Sequence, residues 1–220
     1  STEAGGRMEY FQPRSTHDAM GMGYEFRPEA VDAQPVPWPE GVFNPMDDQT
    51  RRILEADPGF SSGFARGAAT LTAVIRPKTA ALADVIGVFN LILSFPLVSD
   101  RTRALIEELA PEACSFLPSP PIWDARRDRH IPGAGYWLTA VTGVIDGLDA
   151  EASEINRMVR RDGSVWYSMG RRAVVDEAKV AGAHLWRDAV TMEVFCSELF
   201  RDRSEALGLT NLYFAALPTG

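Results

Sequence analysis

The chain has 220 residues, 45% of them hydrophobic, with two cysteines and a net charge of −8 at neutral pH. That length and apolar content suffice to bury a core without disulfide or metal staples, and the acidic balance disfavours general nucleic-acid binding, which depends on neutralising phosphate. The longest apolar stretch, Val85 to Phe95, is interrupted by Asn90 and falls well short of the roughly 18 to 20 residues of a membrane span. With no basic-then-apolar leader pattern at the start, a soluble cytoplasmic protein is expected.

Ser1 to Arg7 reads as a vector-derived remnant ahead of Met8. Residues 1–48 carry Pro28, Pro35, Pro37, Pro39 and Pro45 among Gly, Asp and Gln, a composition that cannot sustain a long regular element. They read as a Pro-rich N-terminal arm that Tyr24, Phe26, Trp38 and Phe43 pin onto a core, and residues 49–220 as a single α+β domain. Asp48 to Ala56 is weakly helical. Leu82, Val85, Ile86, Phe89 and Ile92 keep helical spacing.

Two segments then read as the same unit. Pro96-Leu97-Val98-Ser99-Asp100 and Val194-Phe195-Cys196-Ser197-Glu198 are each an apolar run ending in serine and an acid. A serine hydroxyl there can accept from the free N–H groups of a following helix, and the acid meets the positive end of its dipole. Both serines are therefore expected as helix N-caps in a repeated strand–helix–strand module. The first helix, Asp100 to Ala110, turns Leu105 and Leu109 inward and is stopped by Pro111; the second has Leu199, Phe200, Ala206 and Leu207 as its apolar stripe and ends at Gly208.

After the turn at Pro118, Pro120 and Pro121, the run Tyr136 to Ile145 is the strongest strand in the chain, rich in β-branched and aromatic residues. Shorter strands are predicted at Val165–Tyr167, Ala173–Val175, His184–Arg187 and Val194–Cys196. The pattern is that of an α+β fold with a mixed, mainly antiparallel sheet. The expected core contains Leu105, Leu109, Phe116, Trp137, Val141, Ile145, Phe195, Leu207 and Phe214.

Candidate chemistry is sparse. Cys114 and Cys196 lie in apolar strand-like runs and read as buried reduced thiols. His17, His130 and His184 have no zinc-ligand spacing, and there is no Cys-x-x-Cys pair, so neither metal nor cofactor is expected. A nucleophile–base pair of Cys196 and His184, oriented by Asp176, is the enzymatic alternative; against it, Cys196 occupies the strand position that Val98 fills in the first unit. Ser99 and Ser197 lack a glycine-flanked nucleophile elbow, and Gly133-Ala134-Gly135 lacks the third glycine and helix of a phosphate loop. The arginines at 126, 127 and 129, and at 157, 160, 161, 171 and 172, read as solvated surface balanced by nearby acids.

An ordered series of motifs resembles one known family. It runs from Leu97-Val98-Ser99-Asp100 through Cys114-Ser115-Phe116-Leu117, then Tyr136-Trp137-Leu138 to Val144-Ile145-Asp146-Gly147-Leu148-Asp149. It continues through Val174-Val175-Asp176, Lys179, Gly182 and His184-Leu185-Trp186-Arg187, and closes with Val194-Phe195-Cys196-Ser197-Glu198 and Gly208-Leu209-Thr210-Asn211-Leu212-Tyr213-Phe214. These resemble the bacterial polymorphic-toxin immunity proteins of family number eleven, across about Leu82 to Ala216. Asp100 and Thr210-Asn211 depart from the family pattern, which more often has glutamate and a second glycine there. The resemblance implies a non-enzymatic protein that binds a cognate secreted toxin in the producer's cytoplasm and blocks it by occlusion. Asp146, Asp149, Glu151, Glu154, Asp176 and Glu177 are the candidates for meeting that toxin, expected to be basic.

Overall fold

The computed structural model describes residues 8–15, 20–26, 71–78, 81–87, 89, 96–119, 121–131, 135–159, 161, 163 and 165–220. The first strands are β1 (Tyr10–Arg14), β2 (Met20–Phe26), β3 (Leu71–Pro77), β4 (Val85–Ile86) and β5 (Leu97–Ser99), followed by helix α1 (Asp100–Leu109). Next come β6 (Cys114–Pro118), β7 (Ile122–Asp124), β8 (Arg129–Ile131), β9 (Tyr136–Val141), β10 (Val144–Ile145), β11 (Ile155–Val159) and β12 (Val165–Met169). The short α2 (Glu177–Val180) precedes β13 (Leu185–Asp188) and β14 (Val194–Ser197), and α3 (Glu198–Ala206) leads to β15 (Tyr213–Ala216).

These strands make one five-stranded sheet, β10-β13-β14-β1-β15, two four-stranded sheets, β4-β5-β9-β6 and β2-β3-β7-β8, and a separate ribbon, β11-β12. Among the described residues only the β3–β7 and β10–β13 pairings are parallel. The fold is therefore α+β, mixed and mainly antiparallel, as the strand-rich pattern predicts.

Apolar residues at successive strand positions are explained by sheets covered on both faces. In β4 and β5, Val85 and Val98 point into one core, shared with Leu105, Ile106, Leu185, Cys196 and Phe200, whereas Ile86 and Leu97 point into a second, with Ala73, Ile75, Ile122 and Leu138. In β13 and β14, Leu185 and Cys196 face the first core, while Trp186 and Phe195 face a third that holds Leu148, Ala173, Val175 and Val180. The first core thus joins two sheets and the two longer helices.

Ser99 and Ser197 are N-caps of α1 and α3: each hydroxyl accepts at 3.3 Å from a backbone N–H three residues on, Thr102 and Phe200 respectively. Each serine's own N–H donates back to the residue before the neighbouring strand, Asp84 at 2.8 Å and His184 at 3.1 Å. The same two residues hold the hydroxyls, Asp84 Oδ1 at 2.6 Å from Ser99 and His184 Nδ1 at 2.8 Å from Ser197.

Several expectations are corrected. The helical spacing around Leu82 to Phe89 belongs to strand β4, because Val85 and Ile86 serve opposite cores, and Gly87 with φ 94° turns the chain where a helix would continue. The long strand breaks after Val141 into β9 and β10. Residues 173–175 contribute no strand, only an isolated bridge at Val175 beside another at Arg172. On α3 the buried face is Phe200 and Ser204, whose hydroxyl donates to the Phe200 carbonyl at 2.7 Å; Leu199 and Leu207 are exposed. Within the stretch assigned to the arm, Tyr10–Arg14 lies between β14 and β15, and Met20–Phe26 pairs with β3. Trp38, Phe43, Ile92 and Asp48 to Ala56 lie outside the described residues.

Asp84 ties the two helical units together. Its carboxylate accepts from Ser99 beside α1 and from both the backbone N–H and the hydroxyl of Thr210 in the loop after α3, each of the latter at 3.0 Å. Burial pushes this carboxyl up, but the hydrogen bonds from Ser99 and Thr210, with Arg101 nearby, outweigh it and hold the pKa below its ordinary value. The folded state therefore releases the proton more readily than the unfolded chain, whose carboxyl titrates near 3.9. This contribution to stability is complete above about pH 4 and disappears as pH falls through the folded value. Asp84→Asn should cost about 1 to 3 kcal/mol in denaturant unfolding at pH 7, and the difference from wild type should shrink at pH 3. Ser197→Ala should cost about 0.5 to 2 kcal/mol in the same assay; no change would mean the cap bond contributes nothing to stability.

Candidate interaction surface

The six candidate acids come together along one backbone ladder. Asp176 N–H donates to the Gly147 carbonyl at 2.9 Å, Asp149 N–H to Val174 at 2.9 Å, and Glu154 N–H to Arg172 at 2.8 Å, which aligns residues 147–154 with 172–176. Beneath this ladder lies the third core, with Trp186 and Phe195 fully buried.

Four of the six carboxylates already have local work. Asp149 accepts from the N–H groups of Glu151 at 2.9 Å and Ala152 at 3.0 Å, closing a turn. The N–H groups of Ala152 and Glu151 hold its carboxyl below the usual range, against burial and with help from Lys179 and Arg172. Asp176 caps α2, accepting from Ala178 at 3.1 Å and Lys179 at 3.3 Å. Asp146 pairs with Lys179 Nζ at 3.2 Å, an exposed contact of small energetic value. Glu154 accepts from Arg171 N–H at 2.9 Å and folds over Gly170. Glu151 and Glu177 are exposed. With Arg172 on the ladder itself, Arg171 beside it and Lys179 next to Asp146, the ladder is acidic but partly neutralised.

Directly after Glu154 the chain enters the β11-β12 ribbon, which the sequence reading split into one short strand and a set of surface arginines. Ile155 pairs with Met169, Arg157 with Tyr167 and Val159 with Val165. Gly163, φ 83°, lies in the turn. The base is fastened: Ile155 and Met169 pack against the third core, and Gly170 N–H donates to the Glu154 carbonyl at 2.7 Å. The outer part is not, with Val159 57%, Val165 40% and Tyr167 39% exposed. The signal that could have found it is Asp162-Gly163 between two apolar runs, a hairpin pattern.

The family model described as Immunity protein family (Imm11) matches residues 24–218. The chain belongs to this immunity protein family. No curated protein matches it.

In this Imm11 chain the nucleophile–base alternative is not assembled. Cys196 is fully buried and desolvation pushes its thiol well up; Cys114 packs against the same core and burial raises its thiol to about 12. His184 bonds to Ser197, not to Cys196, and Asp176 is committed to the α2 cap. The Ser197–His184 contact holds a helix cap, as Asp84 does for Ser99 in the corresponding place. Among the described residues no three His, Cys, Asp or Glu side chains gather to hold a metal ion, and no helix is long and apolar enough to cross a membrane.

The ladder's seat depends on Gly147. A Cβ there would meet Trp186 Nε1 at 2.8 Å and Val180 Cγ1 at 3.0 Å, both in the buried third core. Gly147→Ala should therefore destabilise the protein by about 1 to 3 kcal/mol through overpacking and alter the Trp186 fluorescence. A variant with wild-type stability would show that the indole can shift freely.

Proposed function

We propose that this Imm11 protein binds a cognate secreted toxin of a bacterial polymorphic toxin system and blocks it by stoichiometric occlusion in the cytoplasm of the producing cell. Membership of the immunity family over residues 24–218 carries the reading. The architecture agrees with it: the thiols, His184 and the cap serines are engaged in core packing and helix capping, which leaves the molecular surface as the place where function resides. The acidic ladder, with Glu151 and Glu177 turned to solvent, suits a basic patch on the toxin, and the net charge of −8 favours fast encounter with it.

Titrating toxin activity against this protein should give an endpoint near one copy per toxin, whereas one copy clearing many toxin molecules would overturn occlusion. Reversing charge at Glu151→Lys with Glu177→Lys should slow association by about tenfold at low ionic strength, with the difference narrowing as salt screens the surface. An unchanged rate and salt dependence would remove the ladder as the docking site while leaving the family assignment intact.

A further inference from the structure

We infer that the outer half of the β11-β12 ribbon is the arm that grips the toxin, and that it enters a toxin surface that is apolar and lined with carboxylates. The inference rests on the toxin-binding reading above and adds to it a second contact, opposite in charge to the ladder.

The ribbon's own face carries the argument. Alternation puts Ile155 and Met169, Arg157 and Tyr167, and Val159 and Val165 on one side of the ribbon. At the base that side is core, where Ile155 and Met169 pack beneath the ladder. Farther out the same side packs on no core of the described residues, and its valines and tyrosine stand in solvent. Neither strand pairs with any other described strand. A two-stranded ribbon is marginal in water on its own, and its exposed face sets tyrosine and arginine, two residue types enriched at interfaces, beside apolar valines.

Charge selects the occupant. Between Ile155 and Met169 the sequence has three arginines and one aspartate, a local charge of +2 in a chain of −8. The arginines of the helices are paired, as in Arg103 with Glu107 and Arg203 with Glu108, and Arg127 of the β7–β8 turn is paired with Asp124. Arg157 and Arg161 make no ion pair among the described residues, and they flank the apolar patch. A partner surface that offers carboxylates around an apolar floor completes both. A second copy of this chain fits less well: a two-fold pair would set each ribbon on the other's ladder, but the apolar residues of that ladder, Leu148, Ala173 and Val175, are buried and offer the valines no floor. Acidic ladder and basic ribbon side by side also fix one orientation of the toxin, since a reversed pose sets like charges together.

The test uses the purified cognate toxin, identified by co-purification with this protein, with affinity and association rate measured for the full chain and for two variants, Arg157→Glu and the near-isosteric Val159→Thr with Val165→Thr. Each variant is expected to bind about tenfold or more weakly with an unchanged melting temperature, and the amides of 155–169 should gain hydrogen-exchange protection in the wild-type complex. Protection of those amides keeps the test valid if a variant misfolds. If the wild type binds tightly while both variants match it and 155–169 gains no protection, the ribbon is not the arm and the immunity reading stands. If the wild type does not bind or inhibit the toxin, both readings fall. If the protein alone self-associates and Arg157→Glu abolishes that, the occupant is a second copy and the inference is overturned.

Discussion

The seam at Asp84 is the constraint on which the rest of the fold leans. A buried carboxylate is costly unless its oxygens are satisfied, and here one oxygen accepts from the hydroxyl that caps α1 while the other accepts from Thr210, beyond α3. Val85, the next residue, donates its N–H to the Thr210 carbonyl and takes the Asn211 side-chain amide on its own carbonyl. Those bonds hold the loop after α3 against β4, so the two sheets close over a single core in which Leu105 and Ile106 from one helix meet Phe200 from the other. The guanidinium of Arg101 also donates to the Leu207 carbonyl at the end of α3. With the seam fixed, β13 and β14 are fixed, and so is the Trp186–Phe195 surface that supports the acidic ladder.

The parts of this fold legible in the sequence were those encoded by neighbours in the chain. An apolar run, a serine and an acid specify a strand end, a cap and a first helical turn, and Ser99 and Ser197 form such caps. What local pattern does not encode is which distant strand completes each sheet. β5 and β6 both pair with β9, which follows them, whereas β14 and β15 both pair with β1, from near the N-terminus. Pro28, Pro35, Pro37, Pro39 and Pro45 made residues 1–48 look unsuited to a regular element; Pro13, within β1, is accommodated because β14 pairs only with Tyr10 and Phe11, so no ladder on that side requires an N–H from Pro13. Leu207 was misplaced for a related reason: helical spacing identifies an apolar stripe, but Phe200 and Ser204 alone supply the inward face of α3.

The correspondence between the two helical units extends to side chains. Four residues past each cap serine an arginine lies over an aromatic ring of the inserted strand, Arg103 at 3.8 Å from the Trp137 centroid and Arg201 at 4.2 Å from that of Phe11. Trp137 is the register partner of Val98, and Phe11 that of Cys196. The matched placement includes His184, which holds Ser197 as Asp84 holds Ser99. A buried cysteine and a serine–histidine contact, which in isolation suggest chemistry, are here parts of one capped strand–helix junction.

The candidate surface was legible only in its composition. The acids between Asp146 and Glu154 stood out as a cluster, but the sequence did not reveal that backbone pairing with residues 172–176 would align them with Asp176, or that Lys179 would sit among them. The arginines of the ribbon were discounted because neighbouring acids in sequence were assumed to neutralise them. The ladder's own bonds remove that assumption: Glu154 is turned back to Arg171 N–H and Asp149 is spent on its turn, which leaves Arg157 facing outward beside Tyr167. The net-acidic ladder, with Arg171 and Arg172 among its acids, and the basic ribbon are thereby adjacent but distinct parts of the surface. A surface with that polarity discriminates by orientation as well as by net attraction.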